Sequence, residues 1–581
     1  MKGIQLLFRH LRIHGYVYVI AVLSMAAANV INAFFPRVIG TFTDRLLKHE
    51  LAREDITMYG LLLLGIGLAY GVLFGIGQFM NHRLGRIFEF NTRERLFRHF
   101  TKLSEAYFSK HGTGKLLSLV MNDVSAVRES IANGVNQSTN ASVLSLSVII
   151  MMLLSDIPLY LIAVCVLPLL TIPFLVVYFR PLIRDQSRKV QDSLAMMTES
   201  AEEQFGGIRV TKKFAVESIA RERFGATVDE IRDNQLRLVR ISSVFQTLLP
   251  FMGALSMVVA LLFGGYLTIQ GTISIGNFVE LTLYLRMIVN PLQQIGNVIN
   301  MMQRARASLD RLNQLLDIKP DIQEAPQAKA LIASKADMSI NGLIFTYPDS
   351  QHPSLSDLTF SLKQGRTLGI IGKTGSGKTT LMKLLLRVYD PPRGTIFIDD
   401  TDILDLSLES LRTQIAYVPQ DGFLFSTTIR DNIAFYNRSA PLEEVKEASA
   451  LSEIYDSIEG FPSGFETQLG ERGLTLSGGQ RQRTSLARGI IKDAPILILD
   501  DSVSAVDAVT ETRIIANLRK ARRGKTTILI AHRISALRHA DEIIVLSEGR
   551  IIERGTHQEL LLRGGYYTSL NKIQEGGASI G

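Results

Sequence analysis

The stretch GKTGSGKTT occupies residues 372–380. An apolar run at 367–371 precedes it and a helical pattern at 379–387 follows it, so its glycines fall on a strand-to-helix turn. Gly372, Gly375 and Gly377 let the backbone approach a phosphate closely, and N–H groups at the helix start point toward it. Lys378 brings a positive charge to the β- and γ-phosphates, and the Thr379 hydroxyl suits Mg²⁺. Thr374, Ser376 and Thr380 complete the loop. With both flanks of the required type, the loop predicts a site for ATP and Mg²⁺ in an α/β domain.

Working outward, the run ILILD at 496–500 ends a second apolar strand in Asp500, placed to hold Mg²⁺ through water. Asp501 follows it directly. Gln420, in YVPQD, stands at a strand end and is placed to reach the metal or an attacking water. His532, in LIAHR, follows another apolar strand and is placed to touch the γ-phosphate. Tyr347, in FTYP, offers an aromatic face. A lone His, Gln or Tyr more often serves packing, but these gain weight beside a phosphate loop. From about residue 336 onward, short β-rich runs alternate with helical ones, the pattern of a largely parallel sheet. A linker at 317–335, containing Pro320 and Pro326, separates this domain at 336–581 from what precedes it.

The preceding 316 residues differ in kind. At 581 residues the chain is too long for one core, and its mean hydropathy is positive although only 20% of residues are charged. Six stretches reach the roughly 20 residues that a bilayer core of about 30 Å demands: 16–35, 58–80, 137–154, 159–179, 248–269 and 276–296. The third and sixth are the least apolar. The net charge of +8 comes from Lys and Arg flanking these runs, which argues for a membrane and against nucleic acid. The connections at 81–136 and 180–243 are basic, and the turns near Asp156 and Gly271 are not. The positive-inside rule therefore places both long connections and both termini in the cytoplasm. Leu6, Leu7 and Phe8 beside Arg9, Arg12 and His14 suggest a short amphipathic helix on the membrane surface. The single cysteine, Cys165, excludes an intrachain disulfide and a cysteine-rich metal site.

The long connections read as helical extensions of spans two to five. Leu96, Phe100, Leu103 and Tyr107 form one helical stripe, and HGTGK at 111–115 and FGGIR at 205–209 break the two hairpins at their tips. Such tips suit contact with the soluble half or serve as plain turns. Glu280 and Arg286 are ionisable residues inside the sixth stretch, about 120° apart around a helix and too far for a direct pair. Glu280 is expected either to face a central cavity and assist cationic substrates or to pair with another helix.

A further segment, LSGGQ at 476–480 (Leu476, Ser477, Gly478, Gly479, Gln480), completes the set. With it, the second half resembles the nucleotide-binding domain of an ABC transporter, and the whole chain resembles a half-transporter of the multidrug exporter type. The resemblance implies a six-span helical bundle fused to a P-loop ATPase. It also implies head-to-tail pairing, so that LSGGQ of one chain closes over the phosphate loop of a second half-transporter. By the same resemblance Tyr347 stacks on adenine, Gln420 is the coupling glutamine, SAVD at 504–507 communicates between the sites, and TQLGERG at 467–473 meets the partner's coupling helix. The expected setting is the plasma membrane, with amphipathic small molecules as substrates.

Asp501 departs from that family pattern, which has Glu as catalytic base. Aspartate is one methylene shorter, and a retraction of about 1.5 Å from the water is expected to cost roughly 10²–10⁴ in rate. Binding should survive, since Lys378 and Asp500 are intact. The expectation is a heterodimer whose other subunit carries Glu. A symmetric homodimer with a working Asp501, an ATP-gated channel or regulatory subunit, and an exporter-like importer remain as alternatives.

Overall fold

The protein, seen in a computed structural model, is described over residues 5–331, 335–470, 473 and 476–578. It divides into two compact units: Met1–Lys102 with Phe108–Lys319, and Leu103–Tyr107 with Pro320–Gly581.

The first unit is helical. Its long elements are α1 (Gln5–Ala33), α2 (Phe35–Leu47), α3 (Arg53–Phe100), α4 (Thr113–Leu154), α5 (Leu159–Gly206), α6 (Glu217–Ile269) and α7 (Ile275–Leu316). Among the described residues, five helical runs are long and apolar enough to cross a membrane: α1 with α2, α3, α4, α5 and α6. The expected sixth span lies in α7, a 42-residue helix that is not among these five. Glu280, Arg286 and a series of amides interrupt its apolar character. On α3, Leu61, Leu64, Leu68 and Val72 are each more than half exposed, as suits a helix facing lipid.

Two expectations need correction. The amphipathic N-terminal segment is not a separate helix, because α1 runs unbroken from Gln5 through Ala33. Only Gly15 weakens that stretch, and the buried His10 anchors it against Phe88 of α3, ring centroids 5.5 Å apart. The stripe from Leu96 to Tyr107 is also interrupted. Helix α3 stops at Phe100, and a new short helix begins at Glu105. The breaks at Gly112, with φ of 71°, and at Gly207, between α5 and the helix Ile208–Phe214, fall inside the two glycine-containing segments.

Close helix approaches use small residues. A Cβ on Gly77 would lie 2.4 Å from Met25 Cγ, so α1 and α3 touch there only because Gly77 has no side chain. Where α2 meets α7, a Cβ on Gly276 would lie 2.1 Å from the Gly40 carbonyl oxygen. Asp44 accepts there from the Gly276 N–H at 2.6 Å and from Ser274 Oγ. Helix α4 carries π-helical turns at Leu119–Asp123, Ser130–Gly134 and Asn140–Leu144. The first turns Asp123 toward α7, where it accepts from Ser308 Oγ and Arg311 Nε, both at 2.9 Å.

The second unit is built on two sheets. The strands are β1 (Met338–Phe345), β2 (Leu355–Leu362), β3 (Thr367–Gly372), β4 (Ile396–Ile398), β5 (Thr401–Asp402), β6 (Ile415–Val418), β7 (Ile496–Asp500), β8 (Thr526–Ile530), β9 (Glu542–Ser547) and β10 (Arg550–Gly555). The small sheet runs β2-β1-β4-β5, and the large one runs β10-β9-β3-β8-β7-β6. In the large sheet every pair except β10–β9 is parallel. Alternation along β7 explains its unbroken apolar run. Ile496 and Ile498 enter the core shared with the small sheet, while Leu497 and Leu499 enter the core under the helices of the other face. A third core, around Ile429, Ile433, Val445, Ile458 and Phe465, supports the helical segment before LSGGQ.

Candidate functional site

A central position for β3 decides where the site forms. Strand order β3-β8-β7-β6 brings the carboxyl ends of four parallel strands side by side, and each end carries a predicted residue. The phosphate loop follows β3, His532 follows β8, Asp500 and Asp501 end β7, and Gln420 follows β6. They line one cavity of about 480 Å³ together with Thr374, Gly375, Ser376, Gly377, Lys378, Thr379 and Thr380. Residues that sequence reading missed complete its wall: Ser350, His352, Pro353, Ser354, Glu548 and Gly549. They come from turns of polar residues, which carry no periodic signal.

The loop is shaped by positive φ at Gly375 (82°) and Gly377 (99°). Gly377 is doubly required, since a Cβ there would lie 2.5 Å from Leu355 Cδ2 and 2.8 Å from the Ser354 carbonyl oxygen. Lys378 opens the helix α8 (Lys378–Leu385) and folds back, donating to the carbonyls of Gly372 at 2.8 Å and Lys373 at 2.9 Å. Burial pushes its pKa down, and the nearby Asp500 and Asp501 partly restore it. The ammonium therefore spans the mouth of the loop, where its charge meets any bound phosphate.

Asp500 is 3% exposed, and Tyr417 donates to it at 3.2 Å. Burial raises its pKa; hydrogen bonds from Tyr417 and Thr379 oppose that rise and the Asp501 charge adds to it. A buried, crowded carboxylate beside the Thr379 hydroxyl is a donor set that a hard divalent cation would satisfy. The residues therefore fit MgATP: glycines and helix N–H groups for phosphates, Lys378 for charge, Thr379 and Asp500 for the metal.

Asp501 sits in a left-handed turn, φ 48°, a conformation that aspartate tolerates better than most side chains. Its N–H donates to the Ile530 carbonyl at 3.0 Å. Its own carbonyl accepts from Gln482 Nε2 at 2.8 Å and Ser504 Oγ at 2.9 Å. Gln420 Nε2 donates to its carboxylate at 3.3 Å. Gln482 was not anticipated, because a glutamine early in a polar helix reads as solvated, whereas here it is 5% exposed. Its Oε1 also accepts from the Ala505 N–H at 2.9 Å, tying the LSGGQ helix to the SAVD segment.

His532 is exposed at the cavity, and its backbone is clamped from the C-terminal helix Tyr566–Ala578. Gln574 donates to the His532 carbonyl at 2.8 Å and accepts from the Ile534 N–H at 2.9 Å. Losing both bonds frees the loop that presents His532. Gln574→Ala is expected to lower hydrolysis at this chain's own site about tenfold with nucleotide binding unchanged, read by single-turnover hydrolysis with the partner's phosphate loop disabled, beside equilibrium binding of labelled ATP.

Leu476, Ser477, Gly478, Gly479 and Gln480 do not line this cavity. Ser477 caps the helix α9 (Gly478–Ile491) in a reciprocal box with Gln480, and both Ser477 and Gly478 are exposed. Asp507 of SAVD caps the helix Ala508–Ala521, accepting from the N–H groups of Val509 and Thr510. Tyr347 lies beside the loop without lining the cavity. It donates to Thr380 at 3.1 Å and packs edge-on against Tyr389. Of TQLGERG, residues 471 and 472 lie outside the described residues.

In the helical unit Glu280 and Arg286 do not line the cavities of about 150 Å³ and 1130 Å³. Glu280 is 4% exposed, accepts from Ser155 at 2.5 Å and abuts Gly40 where α2 packs on α7. Arg286 is exposed elsewhere on α7. This position favours the second expectation for Glu280, a partner elsewhere in the bundle, over a role facing substrate. Glu280→Gln, which keeps an acceptor for Ser155, is expected to leave the ratio of cation to neutral transport unchanged in vesicle assays.

Comparison with known proteins matches this arrangement. Residues 18–292 match the family described as ABC transporter transmembrane region, and residues 355–504 match that described as ABC transporter. A probable multidrug resistance ABC transporter ATP-binding/permease protein, YheI of Bacillus subtilis (strain 168), is 34% identical and covers 97% of each chain. The chain belongs to the ABC transporter family. An ATP-dependent lipid A-core flippase of Syntrophus aciditrophicus (strain SB) is 32% identical over 97% of this chain and 93% of its own. Among solved structures, a bacterial Atm1-family ABC exporter with ATP bound aligns at a TM-score of 0.77. It is 27% identical and covers 97% of this chain and 99% of its own. This ABC transporter is thus a multi-pass membrane protein of exporter fold, an ATPase whose hydrolysis is coupled to transport.

Proposed function

We propose that this chain is one half of an ATP-driven exporter of amphipathic compounds, with a slow nucleotide site of its own. Its LSGGQ completes a faster site on a different half-transporter that carries Glu where this chain has Asp501. The observation that carries the slow site is the pinning of Asp501. Moving its carboxylate forward by the missing methylene, about 1.5 Å, would stretch three backbone bonds that now measure 2.8 Å, 2.9 Å and 3.0 Å. A shift of that size cannot keep all three, because the N–H and the carbonyl are anchored to different elements, so the backbone is poorly placed to compensate for the shorter side chain. MgATP, when bound, supplies the phosphoryl bond to be cleaved and the charge that orients it. The chain's own residues cradle the phosphates, hold the metal, and at Asp501 accept a water proton from an unfavourable distance.

In this reading α7 is the sixth span, Tyr347 stands near the adenine, and the ATPase unit and N-terminus lie on the cytoplasmic side of the plasma membrane. The names of the relatives, one multidrug and one lipid flippase, favour amphipathic cargo. In this reading the chain is similar to BmrC, one subunit of the heterodimeric exporter BmrCD, and the transporter's two halves are unlike. Inside-out membrane vesicles test the export reading. ATP-dependent accumulation of an amphipathic dye, requiring both halves, is expected. Accumulation only in right-side-out vesicles would overturn the direction, and full activity of this chain alone would overturn the need for a partner.

A further inference from the structure

We infer that the helical unit holds a binding site for an anionic amphiphile, with an oxyanion headgroup facing three arginines. A cavity of about 1130 Å³ opens between α5, α6 and α7, larger than the roughly 300–1,000 Å³ typical of small-molecule sites. Its wall changes character along its length. Val176, Phe245 and Leu249 form an apolar part, whereas Arg180, Arg184 and Arg304 form a charged part. No Asp or Glu lines it among the described residues, and none of the three guanidiniums is paired with a carboxylate there.

The arginines belong to one arrangement. Arg180 and Arg184 stand one helical turn apart on α5. Arg180 Nη2 donates to Gln303 Oε1 at 2.7 Å, which fixes α5 against α7 beside Arg304. Three like charges around one space, without a counter-ion, repel one another, and a bound anion would relieve that repulsion. The guanidinium fork matches the two oxygens of a phosphate or carboxylate. Arginines at the cytoplasmic end of apolar spans are common, but that tendency does not require them to share a cavity wall free of carboxylates.

A second observation extends the site. Gln137 lines this cavity and also a recess of about 150 Å³ formed with Gln78, Asn133, Asn136, Asn140 and Gln294. Gln137 Oε1 and Asn136 Nδ2 are buried without hydrogen-bond partners. One unmet acceptor and one unmet donor suit hydroxyl or amide groups on the headgroup. The class of ligand is therefore an amphiphile with an apolar tail, an oxyanion and neighbouring polar groups. It stands opposite to the cation expected from Glu280. The inference rests on the export reading only for the fate of the ligand, not for its binding.

The chain contains no tryptophan, so Phe245→Trp places its sole indole in the cavity wall. The full-length chain carrying this reporter, in nanodiscs of zwitterionic lipid, would be titrated with dodecyl phosphate, dodecyltrimethylammonium and inorganic phosphate. A saturable fluorescence change with dodecyl phosphate is expected, weakened at least tenfold by combining Arg180→Gln, Arg184→Gln and Arg304→Gln. Should that triple variant misfold, judged by elution and ATP binding, Arg304→Gln alone is expected to weaken binding about threefold. An equal response to the cation, or arginine variants that bind as the parent does, would overturn the site. An equal response to inorganic phosphate would overturn the amphiphile in favour of a free oxyanion. Loss of vesicle transport with this binding intact would count against the export reading alone.

Discussion

Gly478→Asp is expected to reduce the steady-state ATPase of the assembled transporter to about one hundredth or less while leaving this chain folded. Nothing lies within 4 Å of a Cβ built on Gly478, and its φ is not positive, so a side chain meets no obstacle inside the chain. A carboxylate at the first residue of α9 would even favour the helix dipole. In the proposed pairing the loss arises outside this chain, where the exposed LSGGQ would close over the partner's phosphates and a new negative charge would oppose them. Gly479 is a poorer probe, because a Cβ there would lie 3.0 Å from the Ala505 carbonyl oxygen. Thermal unfolding of the purified chain should be unchanged. Unchanged turnover in the Gly478→Asp transporter would mean that the signature segment closes over no working site.

Lys378→Ala should weaken nucleotide binding at this chain's own site by about 10- to 100-fold, the range for loss of a charge-assisted hydrogen bond of about 1.5–3 kcal/mol. The effect reaches beyond the lost charge. The Gly372 and Lys373 carbonyls that Lys378 now engages would also lose that donor, loosening the loop. Turnover should fall only in part if most hydrolysis takes place at the partner's site. Equilibrium binding of labelled ATP, with the partner's phosphate loop disabled, measures the first effect. Unchanged affinity would remove Lys378 from the phosphate site.

The nucleotide site was largely legible in the sequence because its residues sit at the ends of apolar strands, and a parallel sheet aligns those ends. Once β3, β6, β7 and β8 are read as neighbours, Gln420, Asp500, Asp501 and His532 must share an edge with the loop. Residues that act through long side chains from other elements were not legible. Gln482 reaches Asp501 from α9, and Gln574 reaches His532 from 42 residues downstream. Neither belongs to a pattern that distinguishes it from a solvated glutamine.

In the helical unit the sequence showed apolar length but not direction. Glu280 appeared available to substrate because an ionisable residue in an apolar stretch demands a partner, yet that partner was Ser155, 125 positions away. The arginines of the α5–α7 cavity read only as charges flanking apolar runs, since their convergence depends on how α5 and α7 pack. The N-terminal segment misled for the opposite reason. Its charges suggested a surface helix, but nothing after it ends the helix before Ala33.

The central claim is that Asp501 carries little of the hydrolytic flux. Steady-state ATPase of the purified transporter bearing Asp501→Asn, beside the same transporter with the partner's corresponding Glu replaced by Gln, tests it directly. Asp501→Asn is expected to retain most of the parent rate, and the partner's substitution nearly to abolish it. A collapse of activity from Asp501→Asn alone would contradict the account and make Asp501 a working base in a symmetric pair.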